Sequence, residues 1–215
     1  MQTTQEDRMK GKFVSLEGCE GSGKSTQTRL LSAYLEEQGT DFLFTREPGG
    51  STISEDIRRI ILNGQYAEKM SPECEALLYA ASRIQHLKQV IIPALEAGKL
   101  VLCDRYVDSS FAYQGHARGL GMDYIEKINA TAMEYQPDLT LFMDINPVQA
   151  FERKHGADKG DRIEQEGIEF HQKVYEGYKI LEDRFPARFV AVDCSGTKYE
   201  TQDKIRAILK ERGII

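Results

Sequence analysis

Short apolar runs alternate along the chain with longer segments of helical period. Phe13–Leu16, Phe42–Thr45, Leu100–Cys103, Leu139–Asp144 and Phe189–Val192 are mostly continuous apolar runs. Runs of this kind predict strands of a parallel sheet covered on both faces. Helices are predicted at Ser25–Gln38, Ser54–Leu62, Pro72–Ala97, Met122–Tyr135, Pro147–Lys154, Gly167–Arg184 and Glu200–Arg212. Gly39 closes the first of these. Ser71 caps the third, Pro72 opens it, and Pro93 predicts a kink near its end. Within it Leu77, Ala81, Ile84 and Ile91 fall on one apolar stripe, with Tyr79 and Arg83 well off it. The order strand, helix, strand, helix predicts an α/β fold with a five-stranded parallel sheet flanked by helices. Residues 12–215 are expected to form one domain, preceded by a flexible polar tail at 1–11.

The first turn after a strand carries the clearest chemistry. Gly18-Cys19-Glu20-Gly21-Ser22-Gly23-Lys24-Ser25 is a complete G-x-x-x-x-G-K-[ST] string, with Thr26 next. Its glycines let successive N–H groups face one anion, Lys24 reaches toward the β- and γ-phosphates, and the Ser25 hydroxyl suits Mg²⁺. The helix that follows points its positive end at the phosphates. The chain is expected to bind a nucleoside triphosphate through Gly18 to Thr26.

In a doubly wound sheet, ligands gather at the carboxyl ends of the strands. Strand two is followed by Thr45-Arg46-Glu47-Pro48-Gly49-Gly50, and strand three by Asp104-Arg105-Tyr106. Arg46 and Arg105 supply two guanidinium forks for a second phosphate group. Asp104 suits a contact to Mg²⁺ through water beside Ser25, with Asp144 as the rival. Tyr79 and Arg83 are i,i+4 neighbours, a pairing suited to a planar base. The segment Arg153–Arg162 is basic and holds two glycines, which predicts a lid over the phosphates at about 153–165.

The formal net charge of −6 argues against non-specific nucleic-acid binding. No run approaches a membrane span, and residues 1–12 lack the apolar core of a signal peptide. Cys19, Cys74, Cys103 and Cys194 show no metal or disulfide spacing. They are expected to be free thiols in the cytoplasm. Cys19, inside the phosphate loop, is a candidate for oxidation that blocks binding.

In this order, the phosphate loop, Arg46-Glu47-Pro48-Gly49-Gly50, Asp104-Arg105-Tyr106 with Ser109-Ser110, Tyr113-Gln114-Gly115 and Asp161-Arg162-Ile163-Glu164 resemble the bacterial thymidylate kinase family. The resemblance covers nearly everything after residue 11. It implies a P-loop NTPase fold, transfer of the γ-phosphate of ATP to dTMP with Mg²⁺, and a homodimer. It implies that Arg46 and Arg105 hold the dTMP phosphate, with Glu47 and a cis-linked Pro48 shaping the pocket and Arg58 at its border. Tyr79 would stack on thymine, Arg83 would bond its edge, and Ser110 and Gln114 would take the remaining polar atoms. Tyr113 would crowd the sugar 2′ position. Glu20 would approach the acceptor 3′-hydroxyl or the metal water.

The loop holds no arginine, which resembles the bacterial type whose catalytic charge comes from the lid; the resemblance implies Arg153 first, Arg162 second and Lys159 third for that role beside Lys24. A nucleoside acceptor would need a general base and would leave Arg46 and Arg105 without a phosphate. A GTPase-like switch lacks its N-K-x-D string here.

Overall fold

All five apolar runs become strands, and four of them extend one residue further, onto a polar or charged side chain. They are β1 (Phe13–Glu17), β2 (Phe42–Arg46), β3 (Leu100–Asp104), β4 (Leu139–Asp144) and β5 (Phe189–Asp193). The computed structural model describes residues 10–67, 69–153, 161–163 and 165–215, without the side chain of Arg153. The strands form one parallel sheet in the order β2-β3-β1-β4-β5. The central strands are buried along most of their length, as continuous apolar runs require.

Alternate residues feed the two faces of the sheet. Phe13, Val101, Cys103 and Phe142 belong to one apolar cluster, and Val14, Leu16, Leu102, Leu141 and Met143 to the other. The first is shared with Val174, Tyr178 and Leu181 of α9 (Ile168–Arg184). The second is shared with Leu31 and Leu35 of α1 (Lys24–Glu37) and with Ile205 and Leu209 of α10 (Lys198–Glu211). Burying each large apolar side chain contributes roughly 1.5–3 kcal/mol.

The remaining helices are α2 (Thr52–Leu62), α3 (Pro72–His86), α4 (Ile92–Glu96), α5 (Val107–Ser110), α6 (Met122–Ile128), α7 (Ala130–Met133) and α8 (Pro147–Arg153). Ser71 caps α3 by accepting from the Cys74 N–H at 3.2 Å, with Pro72 in its first turn. The helix predicted over Pro72–Ala97 is interrupted by a π turn at Leu87–Ile91, just before Pro93. Proline lacks an N–H and its ring crowds the preceding turn, and the wider turn accommodates both. The helix predicted over Met122–Tyr135 breaks at Asn129, whose φ of −106° is not helical. Its Oδ1 is held by Arg83, and its Nδ2 donates to the Ile125 carbonyl.

The predicted apolar stripe is split: on α3 Leu77 is 50% exposed, Ala81 is exposed and Ile84 is half-buried, whereas Ile91, in the π turn beyond, is buried in the core. The buried face carries Glu75, Ala76, Ala80, Ser82, Arg83 and His86. That face is built around buried ionic groups rather than around an apolar seam.

Candidate active site

Gly18, Gly21 and Gly23 all adopt positive φ, which closes the turn between β1 and α1. At Gly21 a side chain would also meet the Ala150 carbonyl, its Cβ only 2.4 Å from that oxygen. Lys24 folds back into the loop, its Nζ donating to the carbonyls of Gly18 at 3.0 Å and Cys19 at 3.1 Å. Burial lowers its pKa below the usual lysine value, with Arg105 adding to the effect. An anion in the loop would relieve both pressures. Cys19 is buried, and burial pushes its thiol up to about 12. It is therefore a packed thiol with little thiolate character, against the expectation of a redox-sensitive cysteine.

The sheet register sets Arg46 of β2 beside Asp104 of β3, and Asp104 beside Leu16 of β1. The strand ends thus bring the arginine and the aspartate to the mouth of the phosphate loop. The Glu47–Pro48 peptide is cis. The Pro48 carbonyl accepts from Arg46 Nη1 at 2.9 Å and from Arg58 Nη1 at 2.8 Å. The Glu47 carboxylate turns inward and accepts from Arg83 Nε at 2.7 Å, while its other oxygen lies 3.0 Å from His86 Nδ1. Gly50 must be glycine there, because its Cβ would lie 2.4 Å from His86 Nε2.

Arg105 follows β3 with a φ of 69°, a left-handed conformation rare for a side chain of its size. Such an outlier persists where surrounding contacts over-determine it. Its Nη1 donates to the hydroxyls of Ser109 and Tyr178, each at 3.2 Å, and its Nη2 pairs with Glu20. The guanidinium carbon lies 5.0 Å from the Tyr113 ring centre. Beneath it, Glu17 accepts from the Tyr106 N–H at 2.7 Å, Ser109 Oγ at 2.6 Å and Tyr178 Oη at 2.9 Å. Burial, then the charge of Asp108, raises the Glu17 pKa from 4.5 to about 7.

A cavity of about 420 Å³ joins these parts. Its walls include Glu20 to Thr26 of the loop, Arg46, Glu47, Pro48, Arg58, Tyr79, Asp104, Arg105, Tyr113 and Gln114. Asp161, Leu62, Ser109 and Ile163 complete it; Asp161 and Ile163 fall in the expected lid, whereas Leu62 and Ser109 carried no role in the sequence reading. Three polar atoms of its lining are buried without a hydrogen-bond partner among the described residues: Ser22 Oγ, Asp104 Oδ1 and Tyr113 Oη; Ser110 Oγ is unpartnered too, although Ser110 does not line the cavity. Orphaned polar atoms at a cavity are what a ligand or metal site looks like when its partners are not in view. Asp144 is engaged by Tyr175 at 2.8 Å and Lys179 at 3.4 Å and does not line the cavity, so the geometry favours Asp104 for the metal contact.

Among the described residues, five assigned to the site from sequence do not line the cavity: Gly18, Cys19, Arg83, Ser110 and Arg162. Arg83 is buried and does not line the cavity; its N–H groups go to Glu47, to Asn129 at 2.6 Å and to the Tyr106 carbonyl at 3.1 Å. Arg162 is also buried, donating to Glu75 at 2.6 Å and to the Ile61 carbonyl at 2.8 Å. Its geometry is that of a structural tether, because its guanidinium is committed to these two buried partners and does not line the cavity. Gly18 and Cys19 form the loop backbone without lining the cavity. The Arg153 side chain, Lys159 and most of the expected lid lie outside the described residues, as do residues 1–9 of the expected tail. Glu75, Tyr178 and His86 escaped sequence reading because no local motif marks them.

A phosphate loop after the first of five parallel strands, opening into a cavity that also holds a second arginine cluster, defines a P-loop phosphotransferase fold. The family model for thymidylate kinase matches residues 16–205. The chain is 51% identical over 190 residues to a thymidylate kinase of a Geobacillus species, covering 87% of this chain and 90% of the relative. It is 44% identical over 204 residues to the thymidylate kinase of Clostridium novyi, covering 94% and 99%. A crystal structure of thymidylate kinase from Ehrlichia chaffeensis superimposes with a TM-score of 0.75 at 28% identity, covering 93% of this chain and 98% of that one. The chain belongs to the thymidylate kinase family.

Proposed function

We propose that this enzyme transfers the γ-phosphate of ATP to dTMP, giving dTDP and ADP. The observation that carries the reading is a single cavity shared by the phosphate loop and by Arg46, Arg105, Tyr79 and Gln114. A triphosphate on Lys24 and a monophosphate on the two arginines would then face each other across it. The acceptor oxygen is already anionic, so positioning and charge neutralisation do the work and no general base is required. Lys24 would exchange its two carbonyl partners for phosphate oxygens, and Arg105 would move part of its pairing from Glu20 to the acceptor. Pro48, Arg58 and Tyr113 would bound the sugar and phosphate, with Tyr79 against the base and Ser110 within reach of its edge. Arg83 would act on the base from behind, through Glu47 and Asn129. Arg153 stands first for the catalytic charge on the lid side.

Mg²⁺ fits this site: the Ser25 hydroxyl and the unpartnered Asp104 oxygen, the latter through water, would hold it. When bound, it neutralises charge on the donor phosphates. A homodimer is supported by Ile53, Ile60 and Leu77, large apolar side chains 46–52% exposed on α2 and α3, two helices that pack together. A cytoplasmic setting is supported by four free cysteines. Among the described residues no helix is long and apolar enough to cross a membrane.

The test is ADP release from ATP and Mg²⁺ with dTMP, dUMP, dCMP, AMP or thymidine offered singly. Stimulation chiefly by dTMP is expected. Equal stimulation by thymidine, or turnover of GTP without any acceptor, would overturn the reading.

A further inference from the structure

Glu75 lies on the buried face of α3, 1% exposed, and does not line the cavity. Its carboxylate is nonetheless one of the most heavily bonded groups in the molecule. Oε2 accepts from Arg162 Nη2 at 2.6 Å and Arg118 Nη2 at 3.2 Å, and Oε1 from Arg118 Nε at 3.3 Å. Oε1 also accepts from Gln114 Nε2 at 2.8 Å. Every other partner is a guanidinium, which only donates, so both carboxylate oxygens act as acceptors. The Gln114 atom facing them must then be the amide nitrogen, since an oxygen there would oppose an oxygen.

That contact decides what Gln114 shows the cavity. The side chain lines it, is 1% exposed, and its Oε1 makes no hydrogen bond among the described residues. With the nitrogen held by Glu75, the oxygen is the end of the amide left as an acceptor for the cavity, whose lining also holds Tyr79 and Tyr113. A pyrimidine with an imide N–H at ring position 3 offers the matching donor. A 4-amino pyrimidine offers a lone pair there, and two acceptors would meet in a buried place.

We infer that Glu75 is a positioning residue that sets base specificity, by locking the Gln114 amide with its oxygen toward the substrate. The inference rests on the pyrimidine-monophosphate reading above and deepens it. Discrimination comes from a residue that does not touch the base, and its cost to the wrong base is an unpaired buried polar group.

Glu75→Gln tests it. Arg162 Nη2 and Arg118 Nη2 retain the new carbonyl oxygen, the weaker Arg118 Nε contact is given up, and an NH₂ is left toward Gln114. Gln114 then turns its oxygen to that NH₂ and its own NH₂ to the cavity. The kcat/KM ratio of dTMP over dCMP should fall by about tenfold or more, chiefly through KM for dTMP. Arg118→Met removes a partner of the same carboxylate without touching Gln114 and should keep the ratio. An unchanged ratio in folded Glu75→Gln, or an equal fall in both variants, overturns the inference. If Glu75→Gln does not fold, the wild-type side-chain amide of Gln114 decides by nuclear magnetic resonance. Slow hydrogen exchange at one of its two N–H protons supports the lock, and fast exchange at both overturns it. Absence of dTMP-stimulated turnover in the wild type would instead remove the underlying reading, so the two failures are distinct.

Discussion

Arg162 Nη2 lies 2.6 Å from Glu75 Oε2, and neither side chain is more than 2% exposed. An arginine expected to carry catalytic charge is thereby committed to a buried ion pair. Removing Arg162 takes away one of the two guanidiniums on the buried Glu75 carboxylate, which keeps Arg118 and Gln114, and so costs about 1.5–3 kcal/mol, as for a lost hydrogen bond to a charged group. Arg162→Ala should therefore lower stability by that amount in chemical denaturation. A wild-type melting temperature combined with a collapsed kcat would return Arg162 to catalysis.

Lys24 behaves in the opposite way. Its two partners are carbonyls of the loop it serves, so Lys24→Ala removes a buried charge that burial already disfavours. Turnover should fall by about a thousandfold or more, as when a main transition-state contact is lost. Thermal unfolding should stay close to wild type. A variant with substantial turnover would remove the donor role of the loop.

Glu17 should make stability depend on pH. Its folded-state pKa of about 7 lies above the ordinary 4.5, so the folded protein holds its proton more tightly than the unfolded chain does. The associated stabilisation is fully present below 4.5 and is lost as pH rises through about 7. The span amounts to about 3 kcal/mol. Relative to Glu17→Gln, wild-type stability should decline between those limits and then level off. A difference between the two proteins that does not change with pH would contradict this.

The exposed apolar side chains of α2 and α3 bear on assembly. Leu77→Glu or Ile60→Glu places a charge on the face proposed to pair. Sedimentation should show the wild type as a dimer and the variants shifted to monomer, with unchanged circular dichroism. A monomeric wild type would dismiss the dimer.

Features written in contiguous residues can be read without a structure. Strand positions followed from apolar runs, and the phosphate loop from eight adjacent residues whose spacing is its mechanism. The placement of Arg46, Asp104 and Arg105 at one edge followed from the rule that parallel strands end together. Long-range packing sorts the charged side chains into those that face the cavity and those that hold the fold. Arg83 and Arg162 look no different from Arg46 in sequence, yet both are buried against carboxylates. Arg162 meets a partner 87 residues away, and Arg105 meets Tyr178 across 73. The apolar stripe on α3 was legible, but its direction was not, because the opposite face is occupied by Glu75, Arg83 and His86. Helical periodicity reports which residues share a face. Which face turns inward depends on the ion pairs that long-range packing supplies.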